Sequence, residues 1–244
     1  MSKATVLSKS IGINNVFEDD VYIGEDVIIG NNNIFKKGSV IEKQVLIGCD
    51  NLFSNYVIIG CQGEMGLKGD IIPKDGKIEI GSNNSFREFV VVGFPAKTLI
   101  TRVGSNNYFM ARSHIPHDCI IGNNVVMAPN SVLGGGAQIE DYVFVGLGAS
   151  THHGVKLGEG SMIGMQAANA KSVPPFMTVG GVPSKIICMN KIGAERRGID
   201  NILINEVVDN LTSIINLDYS NSDNFMINKI QYFIKENKSV TVFS

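Results

Sequence analysis

Residues 11–58 read IGINNV FEDDVY IGEDVI IGNNNI FKKGSV IEKQVL IGCDNL FSNYVI when broken every six places. Each sextet opens on Ile or Phe, and its fifth place holds Val, Asn or Ser. Residues 103–168 follow the same plan without a gap, from VGSNNY to IGMQAA, and residues 80–91 (IGSNNS FREFVV) stay in phase with it. A period of six is neither the 3.6 of a helix nor the simple alternation of a strand. It predicts a mainly β chain wound as a parallel β-helix, each sextet a short strand plus a corner and three sextets to a coil. First-place aliphatics and small fifth-place residues point inward. The Asn pairs Asn14/Asn15, Asn32/Asn33, Asn83/Asn84 and Asn106/Asn107 suit corners whose backbone needs positive φ.

Known hexapeptide-repeat helices are left-handed, and that hand is carried over. Two stretches break the period: CQGEMGLKGDIIPKDGK at 61–77 and the short FPAKT at 94–98. Loops leaving a rigid solenoid often bind something, although tolerated insertion explains them equally well. After VPPFMTVGGVPSKI the sextets stop, where the prolines are expected to end strand geometry. Asp200 can cap a helix bearing Leu203, Val207, Leu211 and Ile214, and Met226, Ile230 and Phe233 suggest another beyond a break at 221–223. The expected division is a β-helix over 1–186 and a short C-terminal helical domain over 187–244.

The remaining bulk properties exclude partners more than they name them. In 244 residues, 18% are charged and 44% hydrophobic, and the net charge is −2. That balance gives no reason to expect nucleic acid as a partner. No apolar run is long enough for a membrane span. The start, MSKATVLSKS, lacks a signal-peptide core. Cys49, Cys61, Cys119 and Cys188 show no metal-finger spacing, so a reducing, cytoplasmic setting is expected.

All four histidines fall in HIPHDC (114–119) and THHG (151–154), on either side of LGGGAQ (133–138). Positions 18 apart stack at ~4.8 Å. Pro116, His117 and Asp118 therefore sit beneath Gly134, Gly135 and Gly136, which sit beneath His152, His153 and Gly154. An imidazole here can accept a proton from a hydroxyl or amine, Asp118 can orient it, and a glycine N–H can hold an oxyanion. Other readings are a solvated surface stack, or zinc shared across an oligomer interface by His114, His117 and His152/His153.

HIPHDCIIGNNVVMAPNSVLGG (114–135), VPPF (173–176) and MNKIGAERRG (189–198) resemble the UDP-N-acetylglucosamine O-acyltransferases of lipid A synthesis, from about Phe86 to Gly198. The resemblance implies a homotrimer of left-handed β-helices with active sites between subunits. It implies an acyl carrier protein partner, a nucleotide-sugar acceptor, no tightly bound cofactor and no metal; the donor is the carrier's acyl-phosphopantetheine. His117 matches the general base, Asp118 its orienting carboxylate and Gly135 the oxyanion donor. His114 matches a residue on the acyl path, and His152 matches the His of the family's later HQ pair, whose Gln has become His153. Asn190, Arg196 and Arg197 match positions near nucleotide and phosphopantetheine, where an Arg pair suits phosphate. The acyl pocket is expected at Met162 and Met165; Met165 occupies the position of the family's chain-length ruler, so a short or medium chain is expected.

Departures cluster on the acceptor side. Lys68 aligns in the sugar-binding loop, but the usual aspartate position falls at Gly66, with Glu64 nearby. Family histidines correspond to Gly93 and Gly136, and a glutamate to Ile192. This implies a paralogue with the same acyl-transfer chemistry on a different acceptor. A CoA-dependent hexapeptide acetyltransferase and a non-catalytic scaffold are the competing classes.

Overall fold

A computed structural model of the chain describes residues 3–42, 44–64, 73–220 and 222–242. Its architecture is the expected left-handed parallel β-helix with a short helical tail. Successive sextets feed three parallel sheets, the three faces of a prism. The first face carries Thr5–Val6, Tyr22–Ile23, Val40–Ile41, Ile58–Cys61, Val91–Gly93 and His114–Ile115. Bridges from His114 to Val132 and from Val132 to Ser150 extend it toward the C-terminus. The second face runs from Ser10–Ile11 to Lys156–Leu157, and the third from Val16–Phe17 onward.

The sextet rule is visible in the interior. Phe17, Phe35, Phe53, Phe86 and Phe109 form one stack with ring centroids 4.8–5.0 Å apart. Offset stacking adds to the burial energy of each ring. The Asn pairs divide their labour. Asn14, Asn32, Asn83 and Asn106 take φ near +60°, as expected. The residues that follow these corners do something else: Asn33, Asn84 and Asn107, with Asn51 after the corner residue Asp50, are buried, each accepting a backbone N–H from the next coil. Each also donates to a glycine carbonyl, from Gly48 to Gly122, at 3.0 Å. A buried amide is tolerated because all its polar atoms are paired.

The prolines do not end strand geometry. Pro174 and Pro175 sit in a shortened corner, and Met177–Gly180 then pairs in parallel with Met162–Ile163 on the third face. The chain turns back, and Lys185–Met189 adds an antiparallel strand that crosses the expected boundary at 186/187. Helix α1 (Lys191–Arg196) follows, then α2 (Asn201–Asp209), α3 (Leu211–Ile215) and α4 (Phe225–Glu236). Asp200 caps α2 through Ile202 N–H, as its position suggested. Ile204, Val207, Ile214, Met226, Ile230 and Phe233 bury the inner faces of the tail. Glu159 of the prism fastens it, pairing with Arg197 just after α1 and with Lys229 of α4.

Both interruptions of the period occur at one corner, between the first and second faces. Residues 62–76 join Ile58–Cys61 to Lys77–Ile80, and residues 94–99 join Val91–Gly93 to Ile100–Val103. The next coil turns the same corner through residues 116–119, inside HIPHDC. The rungs keep their pairing on either side of the extra chain: Ile58 still pairs with Val91, and Ile80 with Ile47, with a shift between Ile59 and Cys61 where the first segment leaves.

Candidate active site

His117 and Asp118 occupy that corner and are almost fully buried, at 5% and 7% exposure. Asp118 adopts φ +63°, a conformation Asp tolerates better than most residues. This turns its carboxylate back beside the preceding ring, with Oδ2 2.7 Å from His117 Nδ1. The other oxygen is held by FPAKT. Oδ1 accepts the Thr98 hydroxyl at 2.6 Å, Thr98 N–H at 2.8 Å and Ala96 N–H at 3.1 Å; Lys97 N–H reaches Oδ2 at 3.0 Å. Burial alone would raise the pKa of Asp118. Hydrogen bonds from Thr98, His117 and the Lys97 N–H outweigh it and bring it down to about 2.

A carboxylate this acidic is ionised at neutral pH and can only accept. Nδ1 of His117 therefore carries a proton, and in the neutral ring Nε2 is the nitrogen that keeps its lone pair. The Cε1–Nε2 edge lies against Gly135, where a Cβ would fall 2.4 Å from Cε1. The stacking register is as the 18-residue step requires: Gly136 N–H donates to His117 C=O at 2.9 Å, and Gly154 N–H to Gly135 C=O at 3.0 Å. The Gly135 N–H itself has no hydrogen-bond partner among the described residues.

The structure separates the four histidines more than the register suggests. His114 is half-buried and shares a notch with His117, Pro116, Gly93, Cys61, Gln62, Gly63 and Glu64; its volume is about 10 Å³, the room of one water. Burial depresses the His114 pKa, with Glu64 opposing and His117 adding to the effect. His152 and His153 are exposed and contact each other edge to face at 5.5 Å. His152 lines a separate 350 Å³ cavity with Thr151, Asn169, Val182 and Pro183.

Asn190, Arg196, Arg197 and Met162 come together on the third face, in an 820 Å³ groove with Val126, Tyr142, Phe144 and Phe225. Two of these residues already have structural tasks. Asn190 caps α1 through Gly193 N–H and donates to Gly160 C=O at 2.9 Å. Arg197 is paired with Glu159 and packs over Tyr142, 4.1 Å from the ring centroid. Arg196 is the exposed member of the pair. Met165 lies 71% exposed at the corner between the third and first faces, outside the groove. Lys68 and Gly66 lie outside the described residues. Gly93 has no room for a side chain: its Cβ would meet His117 N at 2.9 Å. Among the described residues of one chain, no group of three or more His, Cys, Asp or Glu could hold a metal.

The sequence reading missed Thr98 and the amides beside it. Its only signal was position, since FPAKT interrupts the coil immediately before HIPHDC.

A model of bacterial transferase hexapeptide repeats matches residues 100–135. An acyl-[acyl-carrier-protein]–UDP-N-acetylglucosamine O-acyltransferase of Herminiimonas arsenicoxydans is 38% identical over 127 residues, 51% of this chain and 48% of that one. One from Burkholderia lata is 32% identical over 157 residues, 64% of this chain and 58% of the other. These alignments are partial, and the chain spans about half the length of the curated relatives it matches. In fold the likeness is broader. The Campylobacter jejuni UDP-N-acetylglucosamine acyltransferase superposes with a TM-score of 0.81 at 28% identity, over 97% of this chain and 99% of that one. The Bacteroides fragilis enzyme gives 0.88 at 25% identity, over 98% and 97%.

Proposed function

We propose that this chain is an acyltransferase that moves an acyl group from acyl carrier protein to a hydroxyl or amine of a UDP-N-acetylglucosamine-like nucleotide sugar. The observation that carries the reading is the His117–Asp118 pair lying against a glycine whose N–H has no partner among the described residues. His117 Nε2 takes the proton of the acceptor as its oxygen or nitrogen attacks the thioester carbonyl. Gly135 N–H donates to the oxyanion as it forms. Collapse expels the carrier thiolate, which recovers the proton from the His117 imidazolium. Asp118 remains ionised and steadies that imidazolium. No tightly bound cofactor takes part, because the phosphopantetheine arrives on the carrier. The printed names of the relatives support both the donor and the acceptor class.

The working unit is a homotrimer. His117 lies at an edge of the first face, whereas the Arg196 and Met162 groove is on the third face of the same chain, so a neighbouring copy is needed to bring the two together. Two apolar ladders support a head-to-tail ring: Ile58 and Val132 are exposed on the first face, and Val16 and Ile34 on the third. Different patches on one chain make heterologous contacts, which close as rings. In the trimer Met165 lines the acyl channel and limits chain length, and Arg196 meets phosphate. The setting is the cytoplasm, which suits four free cysteines. Among the described residues no helix is long and apolar enough to cross a membrane.

The acceptor differs from that of the relatives. Gly93 admits no side chain, and Gly136 offers none. Purified protein and its His117→Ala variant, incubated with carrier protein loaded with C4 to C14 chains, test the reading by intact mass of carrier and acceptor. Transfer to a UDP-sugar that disappears in the variant is expected. Efficient transfer to UDP-N-acetylglucosamine itself would refute the altered acceptor. Turnover with acetyl-CoA alone would overturn the donor, and silence from every donor would overturn the function.

A further inference from the structure

We infer that Thr98, with the amides of the 94–98 loop, is a positioning residue: it pins one oxygen of Asp118 so that the other fixes the proton of His117 on Nδ1. A free carboxylate beside an imidazole can rotate and offer either oxygen, or turn away to water. Here the rotation is blocked. Oδ1 is bound by the Thr98 hydroxyl, Thr98 N–H and Ala96 N–H, while Lys97 N–H straddles both oxygens. Oδ2 is left facing His117 Nδ1 at 2.7 Å.

The Thr98 hydroxyl has one proton and two acceptors in reach, Asp118 Oδ1 at 2.6 Å and Ile100 C=O at 3.0 Å. The shorter contact to a charged acceptor takes it. Asp118 N–H is tied in turn to the buried Thr101 hydroxyl at 2.9 Å, so the residue is held at both ends.

The coil carrying the loop packs directly on the one that carries Asp118. Gly93 packs against Pro116 and His117 with no space for a Cβ, and the rung beneath it is irregular between Ile59 and Cys61. Gly63 packs over the loop, its Cβ position 3.0 Å from both Ala96 Cβ and His117 Cβ. The insertion at 94–98 is thus a buckle over the base, closed by its hydrogen bonds to Asp118.

The catalytic half of this inference rests on the transferase reading; the structural half does not. In ¹⁵N-histidine-labelled trimer without substrate, long-range ¹H–¹⁵N spectra read the tautomer of each of the four histidines. Wild type should show His117 protonated at Nδ1 and bare at Nε2. Thr98 is exposed, so Thr98→Val removes the hydroxyl without opening a cavity. The variant should shift His117 toward a tautomer mixture and move the Asp118 carboxyl titration upward from about 2. Thr98→Ser should restore both. In turnover, Thr98→Val should lose about tenfold in kcat, the equivalent of one good hydrogen bond, with both KM values within about twofold. A wild-type His117 protonated at Nε2 would overturn the inference without any variant. So would a Thr98→Val protein with an unchanged tautomer and titration. If the tautomer moves as expected but no form of the protein turns over any acyl donor, the buckle stands and the transferase reading falls.

Discussion

Gly135 and His117 lie so close that a Cβ built on the glycine falls 2.4 Å from the Cε1 of the imidazole and 2.5 Å from Nε2. No rotamer of Ala relieves this, because the offending atom is the Cβ itself. Gly135→Ala should displace the ring by about 1 Å, enough to cost roughly 100-fold in kcat. The backbone there needs no positive φ, so the melting temperature should fall by only a few degrees. Retention of half the activity, measured with carrier-bound donor, would show that the ring does not work from this position.

Asp118 should leave a mark on acid stability. Its carboxyl is depressed from 3.8 to about 2 on folding, so its stabilisation is complete above pH 4 and is lost as pH falls toward 2. The amount is on the order of 2 kcal/mol. Asp118→Asn should remove this part of the pH dependence and present an amide NH₂ to donors already crowded there. Thermal melts from pH 5 to pH 2.5 compare the two proteins. Parallel curves would mean that the carboxylate contributes nothing to stability over this range. Activity at neutral pH should fall by roughly 10²–10⁴, as it does when an orienting carboxylate is lost elsewhere.

Glu159 is 15% exposed and serves two cations, Arg197 and Lys229. Glu159→Gln leaves the half-buried Arg197 without its counter-charge, at a cost of about 1–3 kcal/mol. The tail should loosen before the prism does. Hydrogen exchange should therefore rise in α4 and leave the Phe35–Phe109 coils unchanged. Uniform exchange across both regions would contradict this division.

The buried amides make a different prediction. Asn51 makes four side-chain hydrogen bonds, to Asn33, Asn84 and the Gly81 carbonyl. Asn51→Ala leaves at least two buried partners unmet and should cost about 2–4 kcal/mol. Asn32→Ala, one coil away and exposed, loses the corner preference at φ +58° and two solvent-exposed hydrogen bonds, to Asn14 and Asp50, and should cost ~1 kcal/mol. Chemical denaturation of the two variants separates the buried ladder asparagines from the exposed corner ones.

Most of the fold was legible because every coil must meet the same inner wall, so the rule that fills one coil fills the next. The asparagines were half legible: composition marks a corner but does not say which member turns and which ladders. Pro174 and Pro175 misled because proline is tolerated where a coil turns. The site was legible wherever register alone decides, as for His117 beneath Gly135. It was not legible where backbone groups act, since the N–H of Ala96, Lys97 and Thr98 would be there in any non-proline sequence. Nor does register say where a side chain points. His152 and His153 stand above Gly134 and Gly135, yet both rings are exposed. The Arg197–Glu159 pair was not legible either, because Glu159 lies far off in the chain and carries no motif.

The corner where the 62–76 segment leaves the prism has one more property. Its rungs keep register across the extra residues, with Ile78 seated on Val45 and Ile80 on Ile47. Lengthening such a loop fourfold costs only about 1 kcal/mol of closure entropy. A lineage of such chains can therefore rewrite this segment almost freely while the coil bearing His117 is inherited intact. On the proposed transferase reading, acceptor choice and reaction chemistry are then separately evolvable, because they belong to different turns of the same screw.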